Sequence, residues 1–116
     1  MKVVSLSNVA REPVAMEGAA GASRQVPISR DHGSPTVSFR VFTIEPGGHT
    51  PYHEHPYEHV NYVIAGAGCL VSGDGARHPV REGDFALVLP GEKHQYRNDE
   101  GTVPMVMICA VPKAFE

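Results

Sequence analysis

Short stretches of alternating apolar and polar residues, separated by glycine and proline, make up most of this chain from Thr36 onward. The stretch "TVSFRVFTIEP" has a period of two and is followed by the turn residues Gly47-Gly48. Around Gly73-Asp74-Gly75, the Asp-Gly pair suits the positive φ angles of a tight hairpin. The other strand-like stretches are "HVNYVIAG", "GCLVSGDGARHPV", "DFALVLPGEKHQYRN" and "VPMVMICAVP". Short strands with turns about every ten residues predict an all-β antiparallel sandwich or barrel.

The length of 116 residues favours one domain with one core. Residues 1–35 have no sustained period, and only "RQVPIS" favours a short strand there. We therefore predict an N-terminal arm over residues 1–35, with possible short strands, belonging to the same domain as a barrel over residues 36–116.

Composition excludes several classes of partner. The formal charge of −3 leaves no basic stripe, so we expect no nucleic-acid partner. No apolar run reaches the roughly 18 residues of a membrane span, so we expect no membrane partner. The first residues, "MKVVSLSNVAREP", make a poor signal peptide, and we expect a cytoplasmic protein. In that compartment Cys69 and Cys109 are expected as free thiols.

Histidine is concentrated in one short segment, since "HTPYHEHPYEH" holds four of the chain's seven histidines. His53 and His55 lie two positions apart, so on an extended strand they face the same side. Pro56 favours a turn directly afterwards, which lets His59 face the pair from the start of the next strand. Three converging imidazoles predict a site for a divalent metal. A fourth ligand is predicted at His94, which follows a Pro-Gly turn in "PGEKHQYRN".

Two segments resemble the conserved motifs of the cupin superfamily. The first family motif is written G-x5-H-x-H-x3,4-E-x6-G, and here it is matched by Gly47, His53, His55 and Gly66. The second is written G-x5-P-x-G-x2-H-x3-N, and it is matched by Gly83, Gly91, His94 and Asn98, with Leu89 in place of the proline. The resemblance extends from about Val37 to Pro112 and implies a double-stranded β-helix, the jelly-roll barrel, with a metal inside one end.

The position of the family's ligating glutamate is occupied by His59, with Glu58 before it. His59 has the same strand phase as His53 and His55, so we expect His59 rather than Glu58 to point inward. This chain is similar to the small single-domain bacterial cupins that hold manganese with four histidines. The resemblance thus favours manganese, whereas imidazole ligands alone suit iron, nickel, copper or zinc.

Further residues are predicted to line the pocket beside the metal. Arg40 either faces solvent or reaches into the pocket to bind an anion. By resemblance the last strand lines the barrel, which makes Met107 and Cys109 candidates, although buried thiols are usually small apolar core groups. The remaining candidates are Phe42, Thr50 and Tyr96. His32, His49 and His78 lie outside the motifs and are interpreted as surface or loop residues.

Four histidines on an octahedral ion leave two positions for water, substrate or dioxygen. The chain is therefore interpreted as a possible metal-dependent oxygenase, or peroxide-dependent oxidoreductase, that acts on a small organic substrate. The alternative is a non-enzymatic module that binds a small molecule or the metal, because no general base or nucleophile is evident. A weaker alternative is sugar-phosphate isomerisation, which needs more basic residues than Arg40. We also expect a homodimer in which the arm, apolar at Val3, Val4 and Leu6, pairs with the partner's sheet.

Overall fold

The computed structural model describes residues 1–116 and consists of β-strands joined by turns. Nine strands are present: β1 (Glu12–Pro13), β2 (Ala20–Ile28), β3 (Val37–His49), β4 (His59–Ala65), β5 (Ala67–Ser72), β6 (Arg77–Arg81), β7 (Phe85–Val88), β8 (His94–Arg97) and β9 (Met105–Pro112). Single 3-10 turns span Leu6–Asn8, Arg30–His32 and Lys113–Phe115. None of these helical segments has the length and apolar character to cross a membrane.

The strands form one strongly curled antiparallel sheet in the order β6-β5-β8-β3-β9-β4-β7, with β2 paired to β3 and β1 to β2. Strand β9 is an interior strand that pairs with β3 on one side and β4 on the other. The predicted all-β jelly-roll fold is confirmed.

The interior is filled by alternate residues of these strands. On β9, Met105, Met107, Cys109 and Val111 are buried and the residues between them are not, as the period of two predicted. The largest buried cluster consists of Ile44, Val63, Val80, Tyr96, Met105 and Met107. The inward face of β9 thus contributes to the core of the barrel.

The glycine that ends the first motif is required by close packing. Gly66 has a φ of +75° between β4 and β5, a conformation that residues with a Cβ rarely adopt. A Cβ on Gly66 would also collide with the carbonyl oxygen of Pro104, just before β9. The motif glycine therefore allows β4 to turn while β9 passes against it.

The N-terminal arm is more ordered than its sequence indicates. The predicted short strand in "RQVPIS" is instead the nine-residue β2, which pairs with β3 of the same chain from Ala20↔His49 to Ile28↔Phe39. Alanine, glycine and serine give "AGASRQVPI" no apolar period, so its structure comes from hydrogen bonding to β3. Side-chain contacts add to this, because Gln25 Nε2 donates to the carbonyls of Leu6 and Val9 at 3.0 Å.

A homodimer in which the arm pairs with the partner's sheet remains a prediction, and the outer face of the sheet offers a second surface for association. Strand β7 is a sheet edge, and Phe85 and Leu87 on it are 74% and 58% exposed. Val60 pairs with Leu87 on the neighbouring strand and is 44% exposed. An apolar patch beside an unpaired edge favours association. Light scattering at micromolar concentration is expected to give a dimer mass, and Phe85→Ser with Leu87→Ser to lower it. A monomer mass for the unmodified chain would contradict the prediction.

Candidate metal centre

His53 and His94 are held together by their backbones. The amide of His53 donates to the carbonyl of His94 at 3.1 Å, and the amide of His94 donates back at 2.9 Å. This bridge joins the segment between β3 and β4 to the first residue of β8. His53 is therefore in an isolated bridge rather than the regular strand that its spacing to His55 predicted. The two imidazole centroids are 5.1 Å apart.

His55 is oriented by the chain on either side of it. Its Nδ1 donates to the carbonyl of Tyr57 at 2.7 Å, and its own carbonyl accepts from the amide of Gly91 at 2.9 Å. The ring of Tyr57 stacks on the imidazole at 3.9 Å, and Phe115 stacks on Tyr57 at 4.3 Å. The Gly91 contact links the His55 segment to the second motif.

His59 begins β4 and is buried, whereas Glu58 beside it is exposed. Its Nδ1 donates to Oδ1 of Asn61 at 2.7 Å, and the same oxygen accepts from the Tyr96 hydroxyl at 2.8 Å. The Nε2 atoms of His59 and His94 are 3.0 Å apart. The strand phase that favoured His59 over the adjacent glutamate thus agrees with the structure.

Three of the four imidazoles have one nitrogen committed to the protein. His94 Nδ1 contacts the carbonyl of Glu92 at 2.8 Å, which parallels the Nδ1 bonds of His55 and His59. Because these oxygen partners accept hydrogen bonds, each Nδ1 carries the proton and each Nε2 keeps a lone pair for a metal. Such outer hydrogen bonds are typical of ligating histidines.

The spacing of the nitrogens fits one divalent ion. A ligand atom from each of His53, His55 and His94 lies within 4.8 Å of the other two. Adjacent nitrogens bound about 2.1 Å from one ion are separated by about 3 Å, and opposite ones by about 4 Å. The 3.0 Å between His59 and His94 matches the adjacent case. The three-histidine group can bind a divalent metal, and His59 as the fourth ligand remains a prediction.

Burial keeps the imidazoles of His53, His59 and His94 in the neutral form that binds metals. Burial, followed by the proximity of His94, lowers the pKa of His59 to about 3 and that of His53 to about 4. Burial also lowers the pKa of His94. At neutral pH the imidazoles of His53, His59 and His94 are therefore uncharged until an ion enters.

We expect the metal-free protein to lose stability as the pH falls from about 6.5 towards 4. In that range the unfolded chain protonates His53 and His59, whose ordinary pKa is 6.5, while the folded chain does not. The unfolded state then binds more protons, so the free energy of unfolding decreases with decreasing pH. Urea unfolding of chelator-treated protein at several pH values measures this change. His53→Gln is expected to flatten the profile, and a flat profile in the unmodified chain would contradict the prediction.

A cavity of about 90 Å³ adjoins the four histidines. All six pocket candidates from the sequence line it: Arg40, Phe42, Thr50, Tyr96, Met107 and Cys109. Residues that the sequence did not suggest complete the lining: Val14, Met16, Pro51, Tyr57 and Asn61. Asn61 lies two residues after His59 on β4, so the period of two was the one sequence signal that could have predicted its inward position. Whether these residues act on a ligand remains a prediction.

The other three histidines lie outside this centre, and a larger groove shares only one histidine with it. His32 and His78 are exposed, and His49 is half-buried with its Nδ1 3.2 Å from the carbonyl of Thr50. A more open groove of about 650 Å³ runs between the β5–β6 hairpin and β7 but includes only His94 of the four histidines. The small cavity is the place where metal-binding groups converge, and we take it as the functional site.

Comparison with known proteins agrees with the fold. Residues 40–111 match the family described as "Cupin domain". "Gentisate 1,2 dioxygenase 1" of Aquipseudomonas alcaligenes is 35% identical over 63 residues, which are 54% of this chain and 18% of that protein. This chain therefore matches less than a fifth of that relative's length.

Two solved structures extend the comparison over most of the chain. The polyketide cyclase RemF from Streptomyces resistomycificus superposes with a TM-score of 0.91 at 28% identity, over 97% of this chain and 79% of that chain. A cupin 2 domain-containing protein from Halorhodospira halophila gives 0.74 at 30% identity, over 91% and 77%. With the family match covering residues 40–111, the chain belongs to the cupin family.

Proposed function

We propose that this protein is a divalent-metal enzyme that catalyses ring closure of a small organic substrate bearing carbonyl groups. The observation that carries the proposal is the composition of the cavity, whose lining contains four imidazoles and no Asp or Glu. When bound, a divalent metal supplies a Lewis acid that polarises a carbonyl oxygen. Manganese is favoured by the family resemblance, and the imidazole ligands also suit iron, nickel, copper or zinc.

The neutral ligand set favours this chemistry over oxidation. A carboxylate ligand would offset part of the ion's charge, whereas four imidazoles leave it at its full value. The common non-haem iron oxygenase site has two histidines and one carboxylate. Here His59 occupies the carboxylate position and Glu58 is exposed, which favours electrophilic catalysis.

The similarity to a polyketide cyclase over nearly the whole chain supports ring closure as the reaction. In such a condensation the carbon beside one carbonyl loses two hydrogens and bonds to the carbon of another carbonyl, whose oxygen leaves with those hydrogens as water. The reaction needs no external oxidant. Phe42, Met107 and Val14 line the cavity and would exclude bulk water. The volume of about 90 Å³ admits a small substrate or the reacting end of a longer one, since pockets for drug-sized molecules measure about 300–1,000 Å³.

Tyr96 is a positioning residue in this proposal rather than a base. Burial, followed by the proximity of Cys109, raises its pKa, so its phenol stays protonated at neutral pH. The hydroxyl donates to Asn61 Oδ1 at 2.8 Å, and this oxygen also holds His59. Tyr96 thereby fixes the orientation of an imidazole.

An oxygenase or peroxide-dependent activity is the second candidate. Its support is the 35% identity to a gentisate dioxygenase over 63 residues. Sugar-phosphate isomerisation is less favoured, because Arg40 is the only basic residue besides the histidines in the cavity lining.

The test measures turnover with and without dioxygen. Metal-loaded protein is incubated with short poly-β-ketones, gentisate and enediols while oxygen uptake and products are followed. We expect cyclised product from a poly-β-ketone at equal rates in air and under argon, and its loss in His59→Ala. Oxygen uptake in step with product would favour the oxygenase. Saturable binding without turnover of any substrate would favour the non-enzymatic binding module.

A further inference from the structure

We propose that Arg40 is the anion-binding residue of this cavity, and that the ligand is a small organic acid with a carboxylate group. This inference rests on the proposed function, since it assigns one more property to the ligand of the same site. It starts from a charge imbalance in the cavity lining and from hydrogen-bond donors that the protein leaves unused.

The cavity contains a positive charge with no negative charge to match it. Arg40 is the one cation among its fifteen lining residues, and none of them is Asp or Glu. The ion pairs of the protein involve other arginines, namely Arg30, Arg77 and Arg97. A guanidinium beside a divalent metal ion is costly unless an anion joins them, because both charges have left bulk water.

The contacts of Arg40 hold the guanidinium but do not satisfy it. Its Nη2 donates to the sulfur of Cys109 at 2.9 Å, and thiols are weak acceptors. Its Nε is buried and has no hydrogen-bond partner. Its guanidinium carbon lies 5.1 Å from the centroid of Phe42, within range of a cation–π contact. A guanidinium has five N–H donors, so most of them remain available for a ligand.

The sheet fixes the position of this group in advance. Arg40 on β3 and Cys109 on β9 are register partners, and Phe42 follows Arg40 at the same strand phase. The side chain is thus supported from two adjacent strands at the centre of the sheet. A planar guanidinium in a fixed position suits a carboxylate, which accepts two parallel hydrogen bonds.

The experiment compares two ligands of nearly equal shape that differ in charge. Acetoacetate and acetoacetamide are both small β-dicarbonyl compounds, and only the first carries a carboxylate. Their dissociation constants for the metal-loaded protein are measured by calorimetry at pH 7. We expect acetoacetate to bind at least about tenfold more tightly. Equal binding of the two by the unmodified protein would overturn the proposal without any variant.

Variants then separate the contribution of Arg40 from that of the metal. Arg40→Gln is expected to reduce the preference for acetoacetate by about tenfold to a hundredfold, which is the range for hydrogen bonds to charged groups. Arg40→Lys is expected to retain part of the preference, because it keeps the charge but cannot donate the two parallel hydrogen bonds of a guanidinium. The exposed Arg81→Gln serves as the matched control. An unchanged preference in folded Arg40→Gln with full metal content overturns the proposal.

The readout also distinguishes this inference from the proposed function. Binding is measured without turnover, so a preference that depends on Arg40 stands even if no ring closure occurs. Conversely, ring closure by a protein that binds both ligands equally would support the proposed function and contradict the inference that the ligand carries a carboxylate. If Arg40→Gln does not fold, Arg40→Lys is compared with the unmodified protein instead. An undiminished preference for acetoacetate in Arg40→Lys would reject binding of the carboxylate by the guanidinium of Arg40.

Discussion

Replacing His55 and His94 together with alanine is expected to leave the protein without bound metal. His55 belongs to the segment between β3 and β4, and His94 begins β8, so the double variant removes ligands from two separate parts of the chain. The two remaining imidazoles, His53 and His59, would share the ion with water, and loss of two ligands from four lowers affinity by orders of magnitude. Elemental analysis after dialysis against a mild chelator measures the metal content, which we expect to fall from one ion per chain to almost none.

The matched control replaces two histidines outside the centre. His32 and His78 are both exposed, so His32→Ala with His78→Ala changes the same number of imidazoles. We expect this control to keep one ion per chain. Stoichiometric metal in the His55 and His94 variant would show that the ion is held elsewhere. Circular dichroism of both variants confirms that the sheet is retained in the absence of the ion.

The sequence predicted the sheet well where apolar residues alternate. On β9 the period of two identified the buried face from Met105 to Val111, because every second residue packs inside the barrel. The hairpin at Asp74-Gly75 was equally clear, although only Gly75 has a positive φ, of +83°, and Asp74 does not. Strand β2 was underestimated because its order depends on a partner strand that local sequence does not reveal.

The approach of the histidines was also predicted from the sequence, and the turn after His55 and the start of β4 at His59 are where it placed them. The regular strand expected for His53 and His55 is absent, because an isolated bridge to His94 holds His53 instead.

What the sequence left open was the direction of Arg40, for which solvent and pocket were equal alternatives. Its place in the cavity depends on the register of β3 with β9, which sets Cys109 opposite it. Long-range register of this kind has no local sequence signal. The same reason explains why the cavity contacts of Val14 and Met16 in the arm were not foreseen.

The electrostatics of the site follow from one replacement in the family motif. With His59 where the family has a glutamate, no carboxylate lines the cavity, and Arg40 adds a further positive charge. A carboxylate ligand would have allowed the protein to offset the ion's charge itself. In its absence we expect the negative charge to come from the ligand, which connects the proposed electrophilic chemistry with the proposed organic-acid ligand.

Asn61→Ala is expected to reduce both the stability of the fold and its affinity for metal. Asn61 is 1% exposed, and its Oδ1 accepts hydrogen bonds from His59 and Tyr96 while its Nδ2 donates to the carbonyl of Ile108 at 3.4 Å. Alanine leaves these buried groups without partners, so the free energy of unfolding should fall by about 2–4 kcal/mol. It also frees the imidazole of His59 to rotate, and loss of such an outer hydrogen bond typically weakens metal binding by about 10-fold to 100-fold. Urea unfolding of the metal-free protein and competition with a metal-binding dye measure the two effects.

Two companion variants separate positioning of His59 from packing. Asn61→Asp keeps an acceptor oxygen in a side chain of the same shape, so we expect its metal affinity to stay close to that of the unmodified chain. Tyr96→Phe removes one of the two groups that depend on Asn61, so adding it to Asn61→Ala should cost less than the sum of the single changes. Unchanged metal affinity in Asn61→Ala, or strictly additive losses of stability, would mean that the Tyr96–Asn61–His59 chain of hydrogen bonds does not orient the metal ligand. Because the amide oxygen is shared between a phenol and an imidazole in a buried site, we expect the coupled result.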